Sequence, residues 1–169
     1  TQPWAFIAVE DAALRRAIAD RLRETIGANE GVQAHVQASL ASADPSLRRI
    51  MRGFTSLLER FESAPVLIVP CLHYRDGSGP RGLLAGSSIY QAVQNLMLAA
   101  RALGLGTVMT TMQAGIEGEL CEWLRLPAEA RPVALIPLGY PEDAFGPLRR
   151  RPADEVLHWN GWGGQGPGG

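Results

Sequence analysis

The chain of 169 residues has no lysine; all 16 of its basic residues are arginine. That absence excludes a Schiff-base lysine, a Walker-type phosphate lysine and a lysine general base. Cysteine is almost as scarce. Cys71 and Cys121 stand fifty residues apart without paired spacing and read as structural thiols. Long apolar runs are missing too: none approaches the ~18 residues of a membrane span, and no basic-then-apolar signal opens the chain, so a cytoplasmic protein without a membrane partner is expected. Excess charge of one sign is absent, with a net charge of -1. Nucleic-acid binding, which needs many phosphate-neutralising cations on one face, is therefore not expected. The three histidines, His35, His73 and His158, fall in different segments without metal-ligand spacing, so no metal site is expected. No G-x-S-x-G elbow offers a nucleophilic serine.

What is present is ordinary globular material. The chain is 46% hydrophobic and 20% charged, enough to bury roughly two thirds of its unfolded surface in one domain. An apolar run over residues 5–9 reads as a strand. Leu14, Ile18, Leu22 and Ile26 follow at four-residue spacing, a helix that Gly27 is expected to close as a left-handed cap. Residues 28–44 lose periodicity and read as a mobile connection, a poorly determined helix, or a lid over a site. Asp44-Pro45 then reads as an N-cap and first-turn proline. The next helix would turn Leu47, Ile50, Met51, Phe54, Leu57, Leu58 and Phe61 to the core.

Residues 65–72 form an apolar run of strand length, and 76–86 a glycine-rich loop. Ser87 and Ser88 can cap a helix whose stretch 89–103 is apolar on nearly every side, as expected of a helix buried in a core or against a second subunit. Residues 107–111 and 133–138 read as strands, 117–126 as a helix stopped by Pro127, and 139–141 as a turn. The pattern is that of an α/β or α+β domain over residues 1–162, with a disordered glycine-rich tail at 163–169.

Gly104-Leu105-Gly106 follows a helix and precedes a strand. That is the reverse of a dinucleotide-binding loop, so it reads as a helix C-cap and tight turn. Arg149, Arg150 and Arg151 are the sharpest charge feature. A phosphate monoester would relieve their mutual repulsion, because guanidinium groups match phosphate bidentately. Trp4, Trp159 and Trp162 read as core or interface anchors. With few side chains suited to acid, base or nucleophile work, such a chain would leave the hard chemistry to a cofactor.

Four stretches, in this order, resemble the nitroreductase family of FMN-dependent oxidoreductases: QPWAFIAV, GSSIYQAVQNLMLAARALGLGT, TVMTTM, and ALIPLGYPED with RRRPADEVLHWNGW. The resemblance implies an α+β fold: a central β-sheet flanked by helices, with a long buried helix at the interface of a homodimer. It implies FMN as cofactor, NAD(P)H as co-substrate, and a small-molecule electron acceptor such as a quinone or nitroaromatic. It puts Gln2 and Pro3 beside the flavin ring. Met109, Thr110, Thr111 and Met112 fall along the ring edge, where a backbone N–H or the hydroxyl of Thr110 or Thr111 would donate to the ring nitrogen that accepts hydride. Arg150 falls on the FMN phosphate. No side chain need act as an acid or base. In the family an arginine-rich helix and a polar loop precede the position of Gln2, so the protein is expected to continue upstream of Thr1. The iodotyrosine-dehalogenating branch holds its substrate with a Glu, Tyr and Lys in the lid. Residues 28–61 contain neither tyrosine nor lysine, so that activity is not expected. A non-catalytic flavin-binding domain of the same fold is the alternative.

Overall fold

The computed structural model describes residues 2–74, 86–147 and 150–166. The expected glycine-rich loop, up to residue 85, and Arg149 lie outside them. Five strands make one antiparallel sheet: β1 (Trp4–Val9), β2 (Val66–His73), β3 (Gly106–Thr107), β4 (Ala130–Pro132) and β5 (Ile136–Gly139). The order is β1-β2-β5-β3, with β4 also paired to β2. Trp4 lies opposite Leu72, Cys71 opposite Pro132, and Ile68 opposite Ile136.

Alternation along the strands sends side chains to opposite faces, and each face carries its own core. On one, Val9, Leu67, Val69, Cys71 and Leu135 pack against Ile18, Ala19 and Leu22 of α1 (Ala12–Gly27) and Leu120 of α5 (Glu117–Trp123). On the other, Phe6, Ile68, Leu72 and Ile136 pack against Ile89 and Val93 of α4 (Gly86–Ala102). The molecule is thus an α+β domain, helices on both faces of an antiparallel sheet, as the family resemblance implied.

Several local expectations need correction. Gly27 does not adopt the left-handed conformation: α1 runs through it and caps at Ala28 in helical geometry. Of the alternatives for residues 28–44 the helix stands: α2 (Glu30–Leu40), whose N-cap Asn29 accepts from the N–H of Val32 at 3.0 Å. A cap, rather than an apolar period, marks it. Asp44 and Pro45 start α3 (Pro45–Glu59) as expected, with the Asp44 carboxylate accepting from Ser46 N–H at 2.8 Å. Ile50, however, is 63% exposed, because Met51, Phe54 and Leu58 take the inward face. Ser87 and Ser88 stand inside α4 rather than capping it, since the helix already includes Gly86. The helix expected to reach residue 126 stops at Trp123, and Arg125 takes a positive φ of 52°. Of the strand expected at 133–138 only the end is one: β5 starts at Ile136, β4 lies before the expected range, and Val133, Ala134 and Leu135 fall between them.

The end of α4 behaves as read. Gly104 has φ +77°, its N–H donates to Arg101 C=O at 3.1 Å, and Leu105 N–H donates to Ala100 C=O at 2.9 Å. This is the Schellman arrangement, which satisfies the last carbonyls of the helix and turns the chain into β3.

Arginine also ties the layers together. Arg23 of α1 donates to both carboxylate oxygens of Glu62, at 2.8 and 3.2 Å, in the 3-10 turn Phe61–Ser63. Those hydrogen bonds hold the Glu62 carboxyl below its ordinary range. A depressed carboxyl contributes stability that is present above the unfolded value near pH 4.5 and is lost as pH falls through the folded one. A Glu62→Gln variant will therefore be less stable than the parent at pH 7. The gap, at most about 1 kcal/mol for so accessible a pair, will narrow in urea titrations as pH falls below the unfolded value near 4.5.

Candidate functional site

β3 is only two residues long, not the five expected at 107–111. Val108 and Met109 leave the sheet, each 41% exposed, before the chain rejoins it at Thr110. Thr110 forms an isolated bridge with Leu135: each N–H donates to the other's C=O at 3.0 Å, and the Thr110 hydroxyl donates to Leu135 C=O at 3.1 Å. Both donors of Thr110 are therefore committed to the fold. Thr111 is exposed, and among the described residues only its carbonyl is engaged, accepting from Ala114 N–H at 3.4 Å. Of the two threonines expected to offer a donor, Thr111 has one to give.

Met112 is half-buried against the α1-side core and opens the 3-10 turn Met112–Gly115. Its neighbour Gln113, which the sequence did not single out, is 7% exposed, and its side-chain carbonyl oxygen has no hydrogen-bond partner among the described residues. A buried acceptor left unpaired costs about 1–3 kcal/mol. It lies between the strand expected at 107–111 and the helix expected at 117–126, where no sequence signal marked it.

Gln2 is exposed and Pro3 buried, and the Pro3 carbonyl accepts from His73 N–H at 2.9 Å. This bond extends the β1–β2 ladder by one residue and fixes Gln2 at the sheet edge. From there to Thr110 the path crosses β2 and the β4–β5 line. Arg150 and Arg151 are exposed in the segment after β5, outside strand and helix. Of the tryptophans read as anchors, Trp4 joins the α4-side core, whereas Trp159 and Trp162 are exposed. The described part of the tail is folded back, with Trp159 N–H donating to Gly164 C=O at 3.0 Å; residues 167–169 lie outside the described set.

A flavin mononucleotide needs a cation for its phosphate, apolar surface for its ring and a donor at the ring's polar edge; Arg150, Met109 and Thr111 are exposed groups of those three kinds, whereas Pro3 is buried. The unpaired Gln113 oxygen beside this turn is a further polar group to be satisfied. None of the seven residues expected at the site lines the cavity of about 520 Å³ that lies between the end of α3, β3 and the end of β5. Arg60, Phe61, Thr107, Val108 and Tyr140 are among its walls, and Arg60 pairs with Glu142 at 3.0 Å across it.

Comparison with known proteins bears on the family and the fold. An iodotyrosine deiodinase of Thermotoga neapolitana is 30% identical over 159 residues, 92% of this chain and 74% of that protein. An NADH dehydrogenase of Thermus thermophilus is 27% identical over 164 residues, 94% of this chain and 76% of that one. The structure of an NADPH:FMN oxidoreductase from Vibrio harveyi superposes with a TM-score of 0.67 at 20% identity, covering 98% of this chain and 62% of its own. The model of the nitroreductase family matches residues 1–140. The chain belongs to the nitroreductase family.

Proposed function

We propose that this protein is an NAD(P)H-dependent FMN oxidoreductase that passes hydride to a small acceptor, a quinone or nitroaromatic, in ping-pong fashion. The carrying observation is the Thr110 clamp: both donors of Thr110 are spent on Leu135, which pins the turn while Met109 and Thr111 face outward. When bound, FMN supplies the chemistry, taking a hydride from the nicotinamide and delivering it to the acceptor. The chain's own part is to hold and polarise. Thr111 offers a preplaced donor to the ring edge where charge develops on reduction, and a donor already in position needs no reorganisation. Met109 would supply apolar surface for the ring, Gln2, held by the buried Pro3, would lie at its margin, and Met112 anchors the turn to the core. Arg150 holds the phosphate.

The 30% identical deiodinase does not transfer its substrate to this chain. Residues 28–61, which carry α2 and α3, hold no tyrosine or lysine to grip a zwitterion. A homodimer through α4 completes the reading. Gln91, Gln94, Asn95, Leu98 and Ala102 form an exposed stripe at helical spacing, and Arg101 is the helix's single charge.

The protein will take up FMN and oxidise NAD(P)H when a quinone is added. Varying both substrates will give parallel double-reciprocal lines. An Arg150→Ala variant will bind FMN about 10–100-fold more weakly, the loss of one charge-assisted phosphate contact, while the flavin-loaded fraction turns over at the parent kcat. A protein that takes up no FMN ends this reading.

A further inference from the structure

Residues 158–166 fold back on Trp159. Its N–H donates to Gly164 C=O, and Gly164 N–H donates to Gly161 C=O, each at 3.0 Å. The returning chain passes so close that a Cβ on Gly164 would overlap the Trp159 carbonyl oxygen, and one on Gly166 the indole nitrogen, so both positions demand glycine. Asn160-Gly161 stands at the tip of this closure. Asn160 is exposed and has φ +58°, in the left-handed region that asparagine enters more readily than most residues. Among the described residues neither its side chain nor the N–H of Gly161 has a hydrogen-bond partner, and a Cβ added to Gly161 would meet nothing within 4 Å.

The chain has two other asparagines, and the fold holds both differently. The Asn29 side-chain oxygen is occupied by Val32 N–H at 3.0 Å, and the residue that follows is Glu30. Asn95 lies inside α4 and is followed by Leu96, whose N–H belongs to the helix ladder.

We propose that Asn160 is a site of spontaneous deamidation, and that its isoaspartyl product unfastens the tail from Trp159. The reaction needs the backbone nitrogen after the asparagine to reach the side-chain amide carbon, an approach that a residue without Cβ leaves open. The Gly161 nitrogen gives its proton to water and bonds to Asn160 Cγ. The Cγ–Nδ2 bond breaks, ammonia leaves, and a five-membered succinimide is closed. Water then opens the ring at either carbonyl. One opening gives aspartate; the other gives isoaspartate, in which the main chain runs through Cβ and Cγ. In sum an asparagine and a water become an acid and an ammonia, with no change of oxidation state. Isoaspartate lengthens the main chain by one atom between Trp159 and Gly164, inside a closure tight enough to demand glycine. The inference stands independently of the function proposed above.

The test keeps the folded, full chain in warm, mildly alkaline buffer, digests it at intervals and follows the asparagine peptides by mass spectrometry. The expected result is an acid at position 160 before any at Asn29 or Asn95, as two products, one of which accepts a methyl group from a protein isoaspartate methyltransferase. Gly161→Ala, whose added methyl has open space, will slow the reaction about tenfold or more. The Trp159 amide hydrogen will exchange faster in the isoaspartyl fraction, and at the parent rate in Asn160→Asp, which carries the charge without the extra main-chain atom. An Asn160 that stays intact in the folded chain overturns the proposal, whether or not the guanidinium-unfolded chain reacts. So would a first reaction at Asn29 or Asn95, a Gly161→Ala variant that reacts at the parent rate, or a Trp159 amide equally protected in the isoaspartyl fraction.

Discussion

Shortening Leu22 to alanine will cost about 3–5 kcal/mol of unfolding free energy and lower the Tm by roughly 10 °C. Leu22 is 1% exposed and sits where three elements meet: α1, which carries it, the sheet with Leu67, Val69 and Leu135, and the 3-10 turn with Phe61. Walls that belong to different elements cannot all move inward at once, so the methyl and methine groups removed leave a void as well as a lost transfer term. Ile50→Ala serves as the contrast. Its side chain is already in solvent, and the change will stay within about 0.5 kcal/mol of the parent. Urea unfolding followed by circular dichroism checks both. Equal costs at the two positions would mean that α3 is rolled differently on the core.

Replacing Leu98 with glutamate will leave the monomer's stability within about 0.5 kcal/mol and weaken self-association by at least about 100-fold, the cost of burying an unpaired carboxylate. The asymmetry comes from the two sides of α4. Ile89 and Val93 are buried against the sheet, whereas Leu98 is 57% exposed on the opposite side. Analytical ultracentrifugation of parent and variant at equal concentration reads the effect directly. A dimer that survives with unchanged affinity would place the contact on another face and would remove the support that α4 lends to the homodimer.

The parts of the fold that were legible in the sequence are those where one strong local signal acts alone. The four-residue spacing in α1, the Asp44-Pro45 start of α3 and the glycine stop of α4 all stand in the structure. The parts that were not legible depend on neighbours. Helix α2 has a weak apolar face, with Val36 and Ser39 as its buried residues, and it is held by Asn29 and by packing on α1 and α3. Residues 107–111 have the β-branched composition of a strand, yet only Thr107 and Thr110 find partners on β5 and at Leu135. Strand β5 stops short of Leu135, so the pairing is broken rather than continuous.

The same holds for the site. Thr110 and Thr111 are indistinguishable as letters, and only the bridge to Leu135 separates a clamped donor from an available one. Gln113 lay beyond reach for a related reason: an amide in an apolar turn becomes informative once its oxygen is seen to be buried without a partner.

The ties between layers carry one more consequence. Arg23 holds Glu62, Arg21 reaches from α1 to Glu119 on α5 at 2.8 Å, and Arg131 holds Glu117, so each of these cross-links has a guanidinium as its cation. A guanidinium keeps its proton in solutions alkaline enough to discharge any ammonium group. Strong base therefore does not undo the seating of α1 and α5. Alkaline unfolding, when it comes, begins at groups that gain charge, with the Cys71 thiol, itself held up to about 11, among the last to ionise.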